Sequence, residues 1–233
     1  PPPPPPQFFF HPQHGIPASV ASRGLGDVYK RQIEGIETSS KPVVAAIHGH
    51  ALGGGLELAM CCHYRVIVPQ ARVGQPEVKL GIPPGAGGTQ RLPRLAGVKA
   101  ALDMIVSGDP VTAHKSVSLG ICDQLIERDL LEGALEFASK VGQAGGPHQL
   151  ARDRNVVVED SELFEAKRKQ IKRRARGMRT PYACIECVEA AVELPFDKGL
   201  AREREIFEVC VASDESKAMR HVFFAERAAG KIP

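Results

Sequence analysis

The sequence predicts an α/β core followed by a helical C-terminal region, and three observations carry that reading. Short apolar runs, Val43–Ile47 and Tyr64–Val68, are bounded by Pro, Gly and polar residues in the manner of buried strands. Between them lies an Ala/Leu-rich run, Gly53–Cys62, opened by three glycines and long enough for a helix. Beyond residue 147 the chain reads as a succession of helices with no comparable strand run.

Taken in order, Ile33–Pro42 reads as the end of a helix stopped by Ser39-Ser40 and Pro42. Val43–Ile47 is the first buried strand, His48–Leu52 a turn, and Gly53–Cys62 a helix. Tyr64–Val68 returns as a strand that Pro69 ends. Val73–Leu80 reads as an extended segment carrying Glu77, and Gly81–Gly88 as a Pro/Gly loop. Gln90–Leu95 and Val98–Val106 are helical runs split by Gly97. Gly108–Thr112 is a turn and N-cap for a helix over Ala113–Leu119, which Gly120 ends. Ile121–Ile126 is a short strand, Leu130–Val141 a helix, and Gly142–Pro147 a linker. Four further helices are expected near Ser161–Arg176, Tyr182–Glu193, Gly199–Val211 and Ser216–Ala229.

Residues 1–32 read differently. The run Pro1–Pro6, three phenylalanines and a His/Pro/Gln stretch show no periodicity, and no basic start and apolar centre mark a secretory signal. Asp27-Val-Tyr-Lys-Arg-Gln32 can be encoded by a sequence resembling a transposon-end adapter, so this stretch reads as a non-native or disordered leader. The expected organisation is therefore a leader (1–32), an α/β core (33–146) and a helical region (147–233).

At 233 residues and 43% hydrophobic composition, the chain can bury one good core. No apolar run approaches the ~20 residues of a membrane span. The six cysteines suit a reducing compartment, and Cys184-Ile-Glu-Cys187 has no second pair to complete a metal site, so a structural role is expected. Lys167–Arg179 holds eight basic residues and no acidic one; with those set aside, 22 basic residues face 27 acidic ones. The block lacks interleaved aromatics that would stack bases, so it reads as a solvated helix face and nucleic acid is not the expected partner. The Gly81–Gly88 loop lacks the Gly-Lys-Ser/Thr of a phosphate loop, and no Gly-x-Gly-x-x-Gly occurs, so no NAD site is expected in this chain.

Chemistry is concentrated in Ala51-Leu-Gly-Gly-Gly-Leu-Glu-Leu-Ala-Met60 and Gly74-Gln-Pro-Glu77. Glycines at a helix start leave backbone N–H groups unshielded at the positive end of the helix, suited to an oxygen that gains charge during a reaction. Glu57 lies one turn inside that helix, and Glu77 follows a Gly-Gln-Pro turn. Donors plus two carboxylates form equipment for proton chemistry beside a carbonyl.

With Lys41–Gly49 and Leu80-Gly-Ile-Pro-Pro-Gly-Ala-Gly-Gly-Thr-Gln-Arg-Leu92, these segments resemble, in order and spacing, the crotonase family of enoyl-CoA hydratases and isomerases. The resemblance implies an incomplete crotonase-like ββα spiral core, with residues 33–146 as a catalytic core lacking its N-terminal part. Gly54, with Gly53 beside it, would supply an oxyanion N–H to a CoA thioester, Glu57 and Glu77 would be the catalytic acids, and the loop holding Gly85 would shape the acyl pocket. Arg176–Tyr182, Ala190–Leu200 and Arg220–Arg227 resemble the hydratase half of multifunctional β-oxidation enzymes, in which an NAD-dependent 3-hydroxyacyl-CoA dehydrogenase follows.

That resemblance implies hydration of trans-2-enoyl-CoA, with Δ3–Δ2-enoyl-CoA isomerisation as the alternative and an RNA-binding or inactive fragment as remoter ones. It implies no cofactor in this chain, NAD only in a dehydrogenase part of the parent, and a peroxisomal setting in a eukaryote or a cytoplasmic one in a bacterium, not secretion. Two consequences of truncation are expected: open edges on Val43–Ile47 and Tyr64–Val68, and little hydratase activity in the 233-residue chain itself.

Overall fold

The computed structural model describes residue 33, residues 35–158 and residues 160–230. The expected leader, residues 1–32, lies outside them. Residues 35–37 are helical, as the Ser/Pro stop after them requires. The chain then winds through two three-stranded sheets, delivering one strand to each sheet on every circuit. Strand β1 (Val44–Ile47) joins the first sheet and β2 (His50–Leu52) the second, and helix α1 (Gly54–Cys61) closes the circuit. Strands β3 (Tyr64–Ile67) and β4 (Arg72–Gly74) repeat the step, ending in a 3-10 turn (Glu77–Leu80) and helices α2 (Gly88–Ala96) and α3 (Val98–Ser107). In the third circuit β5 (Val111–Thr112) enters the second sheet, and after α4 (Ala113–Ser118) β6 (Gln124–Leu125) enters the first.

The first sheet has order β1-β3-β6 and is parallel throughout; in the second, β2 pairs parallel with β4, and β5 pairs antiparallel with β4. Parallel pairs need long crossovers, and here helices supply them and cover the sheets. Helices α5 (Leu130–Ala144), α6 (Leu163–Ala175), α7 (Thr180–Glu193), α8 (Phe196–Ala212) and α9 (Asp214–Ala229) follow among the described residues. The main core runs from Ile47, Leu56, Met60 and Ile67 through Leu92, Leu102 and Ile105 to Ile185 and Val188. The helical region therefore shares one hydrophobic core with the sheets.

The structure corrects four local expectations. His50–Leu52 is a strand, because parallel pairing with Arg72–Gly74 satisfies backbone groups that a turn would leave to solvent. Val73–Leu80 is not extended throughout: Pro76, which has no N–H to offer a ladder, ends β4, and a 3-10 turn beginning at Glu77 follows, closed by Gly81 at φ 71°. Val111 and Thr112 form a strand as well as the cap of α4. Tyr64–Ile67 is flanked on both sides, by β1 and β6, so the open edge expected there is closed; among the described residues β1 remains an edge strand.

Two guanidinium groups lie wholly inside. Arg65 donates to the carbonyls of Ile121 (2.6 Å) and Cys62 (2.8 Å) and pairs with Asp123 at 3.2 Å, stitching β3 to the approach of β6. Arg91 of α2 pairs with Glu37 at 2.8 Å, whose other oxygen meets Arg152 at 3.1 Å. Arg91, Arg94 and Arg152 all lie against the Phe196 ring, with guanidinium carbons 4.7–5.1 Å from its centre.

Candidate active site

The register of β2 against β4 builds the site. Leu52 stands opposite Gly74, and the Gly53 N–H donates to the Gly74 carbonyl at 2.9 Å, so the residues leaving the two strands emerge side by side. One exit becomes α1 with Glu57 in its first turn; the other becomes Gln75-Pro76-Glu77. Gly53 caps α1 at φ 55°, ψ −127°, a conformation that L side chains avoid. A Cβ there would lie 2.8 Å from Glu77 Oε1. Gly53 is thus required by the close approach of a carboxylate as well as by its backbone.

Glu57 is buried, at 4% exposure. Its Oε1 accepts from the backbone N–H groups of Ala86 and Gly88, each at 2.8 Å. Burial pushes its pKa up, opposed by those two bonds and by the charge of Arg91. Gly88 is as constrained as Gly53: a Cβ would meet Glu57 Oε1 at 2.8 Å and the Gln75 amide at 2.9 Å. Gln75 is fully buried, and with its amide oriented to satisfy both ends its nitrogen donates to both Glu77 oxygens at 3.0 Å. Burial pushes Glu77 up to about 8, and the negative charges of Glu57 and Glu203 add to the shift.

The sequence reading did not find Glu203. It lies on α8 with 1% exposure, accepting from Gly87 N–H at 2.7 Å, Thr89 N–H at 3.1 Å and the Thr89 hydroxyl. Burial and the charge of Glu57 raise it to about 8. A signal was available: Phe196, Gly199, Glu203, Ile206 and Cys210 are the buried positions of α8, alternating in steps of three and four. Glu203 is the one charged residue on that apolar stripe. Within the run Arg202-Glu-Arg-Glu205 it reads as one more member of a solvated face.

Together Glu57 and Glu203 answer a backbone need. Helix α2 begins with Gly87 and Gly88, which have no side chain to cap it, and its first N–H groups are capped instead by carboxylates from α1 and α8. The charge of Glu57 raises both Glu77 and Glu203, and that of Glu203 raises Glu77, so ionising all three together is disfavoured. Glu57 accepts two backbone donors and Glu203 three donors in all, whereas Glu77's side chain is met by the Gln75 amide. Glu77 is the one raised by both of the other carboxylates, so like-charge repulsion favours the proton there.

Gly54 and Gly55 open α1 on its exposed side. The free face of Gly85 is filled by the Phe207 ring, 2.6 Å from where its Cβ would stand, so this glycine is required by packing on α8. All six cysteines are buried and unbridged, and burial raises the Cys184 and Cys187 thiols. Among the described residues, no cluster of three His, Cys, Asp or Glu side chains could hold a metal, and no helix is long and apolar enough to cross a membrane. In the basic block, Lys167 pairs with Asp103 and Arg168 with Glu189.

Residues 22–151 match the family described as enoyl-CoA hydratase/isomerase. The peroxisomal bifunctional enzyme of Danio rerio is 46% identical over 201 residues, covering 85% of this chain and 28% of that protein. Its human counterpart is 41% identical over 215 residues, 91% of this chain and 30% of that protein, so the chain spans under a third of these relatives. The crystal structure of an enoyl-CoA hydratase from Bacillus anthracis aligns at a TM-score of 0.53 and 27% identity, over 91% of this chain and 70% of that one. Family match, winding of the sheets and the Gly-rich opening of α1 agree: the chain belongs to the enoyl-CoA hydratase/isomerase, or crotonase, family.

Proposed function

We propose that this chain is the hydratase part of a multifunctional fatty-acid β-oxidation enzyme and adds water to trans-2-enoyl-CoA, giving 3-hydroxyacyl-CoA. The observation that carries the reading is the pair of carboxylates, Glu57 buried and Glu77 half-buried, converging where α1 begins. The thioester oxygen sits at the N-terminus of α1, where the Gly54 N–H and the partial positive charge of the helix end stabilise enolate-like charge. Polarisation makes C3 electrophilic. Glu57, held as a carboxylate by Ala86 and Gly88, orients the water and accepts its proton as the oxygen bonds to C3. Glu77 gives its proton to the α-carbon, and transfer from Glu57 back to Glu77 restores the starting state. This division follows from the two negative neighbours that raise Glu77 and the two backbone donors that favour a charged Glu57.

The chain itself needs no cofactor in this reading. NAD and dehydrogenase chemistry belong to a further part of the same parent chain, and the setting is peroxisomal where the parent is eukaryotic, cytoplasmic where it is bacterial. The identities to peroxisomal bifunctional enzymes support the assignment. The test is to assay 2-enoyl and 3-enoyl thioesters side by side with the full-length protein and its Glu57→Gln and Glu77→Gln variants. Hydration lost in both variants supports the reading. Hydration that survives Glu57→Gln, or an unaltered protein that only shifts the 3-enoyl double bond, would replace it with isomerisation.

A further inference from the structure

Within the hydratase reading, on which this step rests, Glu57 owes its position to two backbone N–H groups of one loop. That loop is held in turn from the other end of the chain. Glu203 grips Gly87 N–H at 2.7 Å and Thr89 N–H at 3.1 Å, the residues on either side of Gly88, whose own N–H holds Glu57 at 2.8 Å. Ala86, the other donor to Glu57, immediately precedes Gly87, and its carbonyl accepts from Arg91 at 3.1 Å. Donors to the two carboxylates therefore alternate along the backbone: Ala86 to Glu57, Gly87 to Glu203, Gly88 to Glu57, Thr89 to Glu203. Neither carboxylate can shift without turning the peptide planes that hold the other.

We infer that Glu203 is a positioning residue: by gripping Gly87 and Thr89 it fixes the two N–H groups that orient Glu57, and its charge influences which carboxylate of the cluster carries the proton. The structural alternative, a capping acid that serves only to dock α8, predicts a loss of stability and nothing more. Several details exceed that alternative. The grip is on the catalytic loop itself, Gln90 braces it by donating to the Thr89 hydroxyl oxygen and the Cys187 carbonyl, both at 2.9 Å, and Glu203 interacts electrostatically with Glu57 and Glu77. The titratable groups interacting with Glu203 are Glu57 from α1, Glu77 from the 3-10 turn, Arg91 from α2 and Cys187 from α7. Three of the four can carry negative charge, so removing the charge of Glu203 makes Glu77 easier to ionise.

The test compares Glu203→Gln, Glu203→Asp and Thr89→Val with the unaltered full-length protein, by pH-dependent hydration of crotonyl-CoA and by infrared titration of the buried carboxyls, with bands assigned through Glu57→Gln and Glu77→Gln. Glu203→Gln is expected to lower kcat by about 10- to 100-fold with KM nearly unchanged, the range for partners that orient a reacting group. Its alkaline limb and the Glu77 carboxyl band should both move to lower pH. Glu203→Asp, which keeps the charge but shortens the reach, should restore the pH profile more than the rate. Thr89→Val removes the hydroxyl donor to Glu203, and with it the acceptor for Gln90, while leaving both backbone donors to Glu203 in place; it decides the matter if Glu203→Gln fails to fold, with a smaller fall in kcat expected. Unchanged kcat and carboxyl titration in these variants, even with reduced stability, would reduce Glu203 to a structural cap. Should the unaltered protein not hydrate enoyl-CoA, the hydratase reading falls, and the carboxyl titration alone still decides whether Glu203 acts on Glu57 and Glu77.

Discussion

The molecule buries charge in two ways, and the contrast separates support from chemistry. Around Arg65 and Arg91 every buried cation has an acid within 3.2 Å and carbonyls for its remaining donors, so opposite charges cancel and the sheets are tied together. Around Glu57, Glu77 and Glu203 the groups share a sign: Glu57 raises the proton affinity of both others, and Glu203 raises that of Glu77. Opposite charges resist titration, whereas like charges invite it. Arg91 links the two clusters, pairing with Glu37 while holding the Ala86 carbonyl beside Glu57.

Neutralising the carboxylates should produce the largest effect. Glu57→Gln or Glu77→Gln in the full-length protein is expected to slow hydration by about 10²- to 10⁴-fold, the usual contribution of a positioned acid or base, while crotonyl-CoA binding measured by calorimetry persists. Asp123→Ala should do the reverse, leaving a buried guanidinium unpaired at a cost of about 3 kcal/mol in urea unfolding, with kcat per folded molecule retained. If Asp123→Ala abolished turnover in folded protein, the separation of the two clusters would break.

Stability against pH sharpens the comparison. Glu77 moves from an ordinary 4.5 to about 8 on folding, so between those values the native state holds more protons than the unfolded one. Its stabilising contribution is complete below about pH 4.5 and is lost as pH rises through about 8. The urea midpoint should therefore decline across that window, and Glu77→Gln should flatten the decline. Gly53→Ala, which puts a methyl group against Glu77 at positive φ, should cost about 1–3 kcal/mol and lower kcat as well. The smallest effect belongs to the basic helix face: Arg173→Gln should change stability by under about 0.5 kcal/mol.

Legibility followed how local each cause is. Glu57 and Glu77 could be read because glycine and proline announce special backbone beside them, and β1, α1 and β3 because periodicity and end signals agree. Strand β2 could not: His50–Leu52 is only three residues, and its reason to be extended is a partner twenty-two residues away in β4. Glu77 was assigned an extended backbone because the apolar residues around it outweighed the missing N–H of Pro76. Glu203 was lost for the same reason in stronger form, since its partners lie 114 and 116 residues back.

That distance has a consequence for the order of assembly. Translation delivers α1, the strands and α2 long before α8, and closing a loop of more than a hundred residues is entropically expensive and slow. Until α8 docks, Gly87 and Thr89 lack their acceptor, and the loop that orients Glu57 has only local contacts to define it. The sheets can therefore form early while the carboxylate cluster is still unset, and the hydrogen-bonded arrangement of Glu57 and Glu203 is complete only once α8 has docked.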